Sequence, residues 1–133
     1  MTHDTSLPDT IHEANYGRVD KPWGYELRWI VADRYVGKLI HINKGEALSL
    51  QYHNVKDESI FVVKGCLELY LENDEGTLEI RDLTEGMSCH VHPGKKHRFV
   101  GKEDTDLVEV STPELDDVVR LEDRYGREGT VAP

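Results

Sequence analysis

Three side chains able to hold a divalent cation stand close together between Gly45 and Gly65, in the stretch GEALSLQYHNVKDESIFVVKG. Gln51 and His53 are two residues apart, so on one strand both project to the same side. Asn54–Asp57 is polar enough to turn the chain, and Glu58 then opens an apolar run, ESIFVV, sharing a face with Ile60 and Val62. An amide oxygen, an imidazole and a carboxylate facing each other across such a hairpin are three parts of a divalent-metal site. A second stretch, GMSCHVHPGKKH from Gly86, supplies the fourth: His97 follows the Pro93-Gly94 turn and begins an apolar strand, HRFV.

The elements that must position these groups are strands. Leu67, Leu69 and Leu71 alternate with Glu68 and Tyr70, the pattern of a half-buried strand. Turn signals at Pro22-Trp23-Gly24, Asn43-Lys44-Gly45, Asn73–Gly76, Thr84-Glu85-Gly86 and Lys102–Thr105 divide the chain into roughly nine short strands, as in an antiparallel sandwich or barrel. After Thr112-Pro113 the pattern changes. Leu115, Val118, Val119 and Leu121 have the spacing of one short amphipathic helix, with Thr112 as N-cap and Pro113 at its first position. We expect a polar arm over residues 1–20, one domain over 21–127, and a charged tail over 128–133. If Gln51 and His53 point inward, Leu48, Leu50 and Tyr52 point outward and need cover, from the N-terminal arm, from a second subunit or from the C-terminal helix alone; a homodimer is expected.

Composition narrows the partners. The chain of 133 residues carries 26 acidic and 16 basic residues, a formal net charge of -10, with no basic stripe to neutralise phosphates, so nucleic acid is not expected. No apolar run is long enough to span a membrane and no signal peptide opens the chain, so a cytoplasmic protein is expected. Cys66 and Cys89 are not in a CxxC pair and read as buried reduced thiols.

The two stretches resemble the two motifs of the cupin superfamily. Gly45, His53, Glu58 and Gly65 fit the first, with Gln51 at its first histidine position. Gly86, Gly94 and His97 fit the second, with His92 in place of a proline and Gly101 in place of an asparagine. The resemblance implies an all-β jelly-roll barrel, a double-stranded β-helix, with Gln51, His53, Glu58 and His97 as ligands of one divalent ion (Zn, Mn, Co, Ni or Fe). A narrower likeness covers about residues 18–127. KPWGYE at 21–26, VGK at 36–38, LSLQYH at 48–53, PGKKHR at 93–98 and STPELDDVVRLEDRYGR at 111–127 resemble the type II phosphomannose isomerase domain. That domain ends the bifunctional mannose-1-phosphate guanylyltransferase/mannose-6-phosphate isomerases. This likeness implies a metal-dependent aldose–ketose isomerase interconverting mannose 6-phosphate and fructose 6-phosphate through a cis-enediolate. Lys56 departs from the arginine expected there, and Ser59-Ile60 from a His-Trp pair. No Gly-rich nucleotide loop is present, so guanylyltransferase activity is not implied. The alternatives are a non-catalytic cupin that binds a sugar or sugar nucleotide, and a cupin oxygenase.

Isomerisation needs a base. Glu109 in DLVEVS faces the cavity if Val108 and Val110 pack against an apolar layer, and solvent if they do not. Lys38 either holds a substrate oxygen and shuttles a proton or is a surface lysine. Lys56, Lys95, Lys96 and Arg98 flank the ligands and could meet a phosphate, though Arg98 alternates away from His97 unless the strand bulges.

Overall fold

The computed structural model describes residues 10–13 and 17–130, which form twelve strands and no α-helix. They are β1 (Arg18–Lys21), β2 (Gly24–Val31), β3 (Val36–Ile42), β4 (Leu50–Tyr52), β5 (Glu58–Lys64), β6 (Cys66–Glu72), β7 (Leu78–Thr84), β8 (Ser88–Val91), β9 (His97–Gly101), β10 (Thr105–Ser111), β11 (Val119–Glu122) and β12 (Gly129–Thr130). Two six-stranded antiparallel sheets result, one ordered β1-β2-β3-β10-β5-β8 and the other β12-β11-β4-β9-β6-β7. From β3 onward the chain keeps crossing from one sheet to the other, which is the winding of a double-stranded β-helix. The antiparallel barrel expected from the turn spacing, and the jelly-roll that the cupin resemblance implies, are what form.

Alternation along three neighbouring strands explains both the core and the site. On the inner face, Ile40 of β3 aligns with Leu107 of β10, which aligns with Val62 of β5; one step along, Lys38 aligns with Glu109 and Glu109 with Ile60. One end of the barrel is therefore packed with Trp23, Ile40, Ile42, Val62, Leu67, Phe99 and Leu107, each large side chain contributing about 1.5–3 kcal/mol of burial. The other end carries Lys38, Glu58 and Glu109 on the same faces. The chain turns sharply from β5 into β6 at Gly65, where φ is +95° and a Cβ would stand 2.3 Å from the Asp104 carbonyl oxygen, so no side chain fits there.

Several expectations are corrected. The helix after Pro113 does not form. Val119–Glu122 instead pairs with β4 and lengthens the second sheet. An edge strand of only three residues needs a partner for its free N–H and C=O groups, and consecutive β-branched Val118-Val119 suits a strand. The residues between close only short turns, Leu115 N to Pro113 O and Val118 N to Asp116 O. The arm drawn over residues 1–20 includes β1, which pairs with β2 from Arg18 to Lys21; its residues 1–9 and 14–16 lie outside the described residues. The tail begins with β12, and 131–133 lie outside the described residues. Leu48 does not point outward: the strand register starts only at Leu50, and Leu48 packs against the core. Leu50 and Tyr52 are half-buried. Cys66 and Cys89 are free and half-buried, and burial raises both thiol pKa values.

Candidate functional site

His53, Glu58 and His97 converge at the charged end of the barrel. His53 follows β4, and its carbonyl accepts the Gly94 N–H at 2.6 Å, tying the first hairpin to the Pro93-Gly94 turn. Glu58 is the first residue of β5 and His97 the first of β9. His53 Nδ1 lies 2.5 Å from the Asp117 carbonyl and His97 Nδ1 lies 2.9 Å from the Lys95 carbonyl. A carbonyl only accepts, so each Nδ1 carries the proton and each Nε2 presents a lone pair. Both lone pairs face Glu58: Oε1 is 2.7 Å from His53 Nε2 and 3.4 Å from His97 Nε2.

The donor chemistry of this trio fits a cation. His97 Nε2 is buried and makes no hydrogen bond, and the three ligand atoms lie within 4.8 Å of one another. Lone pairs held this close to a carboxylate oxygen require a proton or a metal ion between them, and pinning Nδ1 to a backbone carbonyl is the usual way a metal-binding imidazole is oriented. Burial opposes ionisation of Glu58, but contacts from His53 and His97 and the charge of Lys56 outweigh it and hold the carboxyl well below its ordinary range.

Gln51 lies on the cavity wall, directly across from His97 in the neighbouring strand. Its Oε1 accepts the Ser49 hydroxyl at 2.6 Å. Glu109 does face inward and is buried, because Val108 and Val110 take the other side of β10. Its Oε2 is 3.2 Å from Lys56 Nζ and 4.0 Å from Lys38 Nζ. Burial and the adjacent Glu58 push its pKa up to about 7, against the pull of the two lysines. Lys38 is buried and sits 2.9 Å from Glu26. Lys56 is also buried; desolvation lowers its pKa, but Glu109 and Glu58 more than reverse this.

Three expected phosphate contacts are not brought in. Lys95 reaches Asp74 at 3.0 Å and the Asn73 carbonyl. Lys96 is exposed, and Arg98 bonds the carbonyls of Leu48 and Glu122. β9 pairs regularly with β6 through His97 and Arg98, so no bulge turns Arg98 inward. The cavity is instead walled by Lys21, Glu26, Arg28, Arg120 and Arg127, together with Lys38, Lys56 and Glu109. Charged residues two apart in β2 (Glu26 and Arg28) were the available signal for this missed group.

Residues 9–123 match the family described as mannose-6-phosphate isomerase C-terminal. The chain belongs to that family. This member of the mannose-6-phosphate isomerase C-terminal family is 38% identical over 125 residues to the mannose-1-phosphate guanylyltransferase of Escherichia coli K12, covering 90% of the chain and 25% of that protein. It is 37% identical over 121 residues to the xanthan biosynthesis protein XanB of Xanthomonas campestris pv. campestris, covering 86% of the chain and 25% of XanB. The chain thus spans about a quarter of the curated relatives it matches. Among solved structures it superposes on an RmlC-like cupin from Shewanella frigidimarina (TM-score 0.64, 22% identity, 72% of this chain and 82% of that one). It also superposes on the capsular polysaccharide assembling protein CapF from Staphylococcus aureus (TM-score 0.68, 19% identity, 87% and 35%). These likenesses show the cupin fold.

The relatives overturn one reading. They are named for guanylyl transfer to mannose 1-phosphate and for polysaccharide biosynthesis, and the cupin is a minor part of each. Interconversion of mannose 6-phosphate and fructose 6-phosphate by a metal-dependent isomerase is therefore set aside, although the family description carries that enzyme's name. The matched relatives are enzymes of sugar metabolism. No helix among the described residues is long and apolar enough to cross a membrane.

Proposed function

We propose that this chain is a sugar-binding cupin that takes a phosphorylated sugar or sugar nucleotide into its charged cavity, beside a divalent ion held by His53, Glu58 and His97 with Gln51 at the edge. One observation carries the reading. A chain of net charge -10 lines this cavity with Lys21, Arg28, Lys38, Lys56, Arg120 and Arg127. Lys21, Arg28 and Lys38 share the single carboxylate of Glu26, Lys56 is matched by Glu109 and Arg127 by Asp123. Arg28 keeps a buried Nε without a hydrogen bond, and Arg120 makes no ion pair among the described residues. Burial lowers the pKa of Lys21 and of Arg120, and neighbouring cations lower both further, while Glu26 resists the fall at Lys21. An anion at this wall relieves that repulsion, and guanidinium groups match phosphate oxygens two at a time.

When bound, the ion supplies a Lewis-acidic contact for ligand oxygens, and a mixed nitrogen and oxygen set suits Zn, Mn, Co, Ni or Fe. The protein's own groups do the rest. Glu109, whose pKa burial and Glu58 raise, faces the cavity where it can donate to a sugar oxygen when protonated or accept from a hydroxyl when ionised. Lys38 and Lys56 hold Glu109 in place. The names of the relatives suggest the sugar: mannose 1-phosphate, or its guanosine diphosphate conjugate.

Calorimetry tests this. Metal-stripped and Mn²⁺- or Zn²⁺-loaded protein is titrated with mannose, mannose 1-phosphate, mannose 6-phosphate and GDP-mannose. Binding of phosphorylated members but not of mannose, weakened at least tenfold in Arg120→Ala, is expected. Silence across all four, or equal affinity for mannose and its phosphates, would sink the proposal.

A further inference from the structure

Outside this cavity, Asp57, His90 and His92 bring three further ligand atoms within 4.8 Å of one another. We propose that they form a second divalent-metal site, open to solvent and selective for ions that accept imidazole, such as Zn²⁺, Ni²⁺ or Cu²⁺.

Strand alternation builds it. In β8, Val91 points inward, is fully buried and aligns with Glu58, whereas His90 aligns with Ser59 on the outer side. His92, two residues on, shares that side, and the two imidazole centroids lie 3.8 Å apart. Asp57 precedes the inward Glu58 and so faces outward, with Oδ1 2.6 Å from His90 Nε2. The trio is thus kept apart from the buried one by the period of two in β5 and β8.

The backbones under these side chains are fixed while the side chains are partly exposed. The N–H of Asp57 donates to Thr112 Oγ1 at 3.0 Å, and its carbonyl accepts the Thr112 N–H at 3.0 Å. The His92 carbonyl accepts the Lys95 N–H at 3.2 Å, closing the Pro93-Gly94 turn. His92 itself makes no side-chain hydrogen bond among the described residues; its ring lies against that of His90, tilted by 36°. Two imidazoles and one carboxylate form a borderline donor set that prefers Zn²⁺, Ni²⁺ and Cu²⁺ to Mg²⁺ or Ca²⁺. Bonds of about 2.0 Å at a tetrahedral angle ask the Asp57–His90 pair to open to roughly 3.3 Å, a small rotation for exposed side chains. A surface hollow lined by Arg34, Tyr35, Asp57, His90 and Thr112 adjoins the trio. It leaves room for the water or small anion that completes a three-ligand site.

The test is Zn²⁺ stoichiometry and affinity by calorimetry on the untagged, metal-stripped 133-residue chain, comparing wild type with His90→Ala/His92→Ala. Loss of one equivalent is expected, whatever the occupancy of the buried site. The same number of equivalents in both, with matching circular dichroism, would overturn the site. Asp57→Asn gives a second reading, because it keeps a hydrogen-bonding oxygen but loses the charge. It should weaken the affected equivalent at least tenfold, and an unchanged affinity would mean that the Asp57–His90 contact is only an ion pair. In wild type, Co²⁺ should broaden the His90 and His92 ring signals in NMR; sharp signals at saturating Co²⁺ count against the proposal.

Discussion

The Asp117 carbonyl accepts the His53 ring N–H at 2.5 Å while the Asp117 carboxylate accepts the backbone N–H groups of Asn54, Val55 and Lys56 at 3.1, 2.7 and 2.9 Å. One residue of the C-terminal segment thereby sets the tautomer of a candidate ligand and holds the turn leading to Glu58. Asp117→Ala removes the acceptor for three amides and leaves the carbonyl contact in place. It should lower stability by about 1–3 kcal/mol, read as a shift of the urea midpoint at constant slope. An unchanged midpoint would show that water replaces the carboxylate at no cost.

The buried trio should make stability depend on metal. An ion that binds only the folded chain adds about 2.7 kcal/mol at one hundred times its dissociation constant. In the His90→Ala/His92→Ala background, which isolates the buried site, Zn²⁺ should raise the melting temperature and a chelator should reverse it. Adding His97→Ala should abolish the shift. A shift that survives that change would place the ion elsewhere.

The turn between β11 and β12 carries an acid-sensitive clamp. Asp123 holds Arg127 through Oδ2 to Nε at 2.8 Å, Oδ1 to a terminal nitrogen at 3.1 Å, and Oδ2 to the backbone N–H at 2.7 Å. Burial opposes the ionised form, but these bonds prevail, and the carboxyl sits below its ordinary value of 3.8. A depressed folded pKa means the stabilisation is complete above the unfolded value and is lost as pH falls through the folded one. The melting-temperature gap between wild type and Asp123→Asn should be constant from pH 7 to about 5, then shrink below about pH 4. A gap that widened in acid would reverse the sign.

Much of the trio was legible because its spacing is tied to glycines and to a strand period of two. Once Gly45, Gly65, Gly86 and Gly94 mark the turns, the sides taken by His53, Glu58 and His97 follow. The basic wall was not legible in the same way. An inward charge such as Lys21 or Arg28 looks like a solvated one until neighbouring strands are aligned. Arg98 shows the converse error, since closeness to His97 in sequence put it on the opposite face. The helix failed because the spacing of Leu115, Val118 and Val119 suits a helix locally, and only the unpaired edge of β4, distant in sequence, selects the strand.

The charge network around Glu26 offers the sharpest test of how the cavity is held. Glu26 is buried and meets Lys38 at 2.9 Å, Arg28 at 3.2 Å and Lys21 at 3.6 Å. Burial alone would raise its pKa, but Lys38, Lys21 and Arg28 together hold it below the usual carboxylate value. Removing it leaves Lys21 and Arg28 without their counter-charge and Lys38 with only Glu109, 4.0 Å away. Breaking a buried pair from one side costs about 3–5 kcal/mol, and Glu26→Ala should approach that figure in urea unfolding. Glu26→Gln should cost nearly as much, because it restores the shape but not the charge. The same vacancy of charge makes a second outcome testable. Inorganic phosphate should stabilise Glu26→Ala more than wild type, since it can take the place of the missing carboxylate among Lys21, Arg28 and Lys38. A variant that unfolds like wild type and ignores phosphate would mean that these cations are already neutralised by solvent, and that the wall is not built to hold an anion.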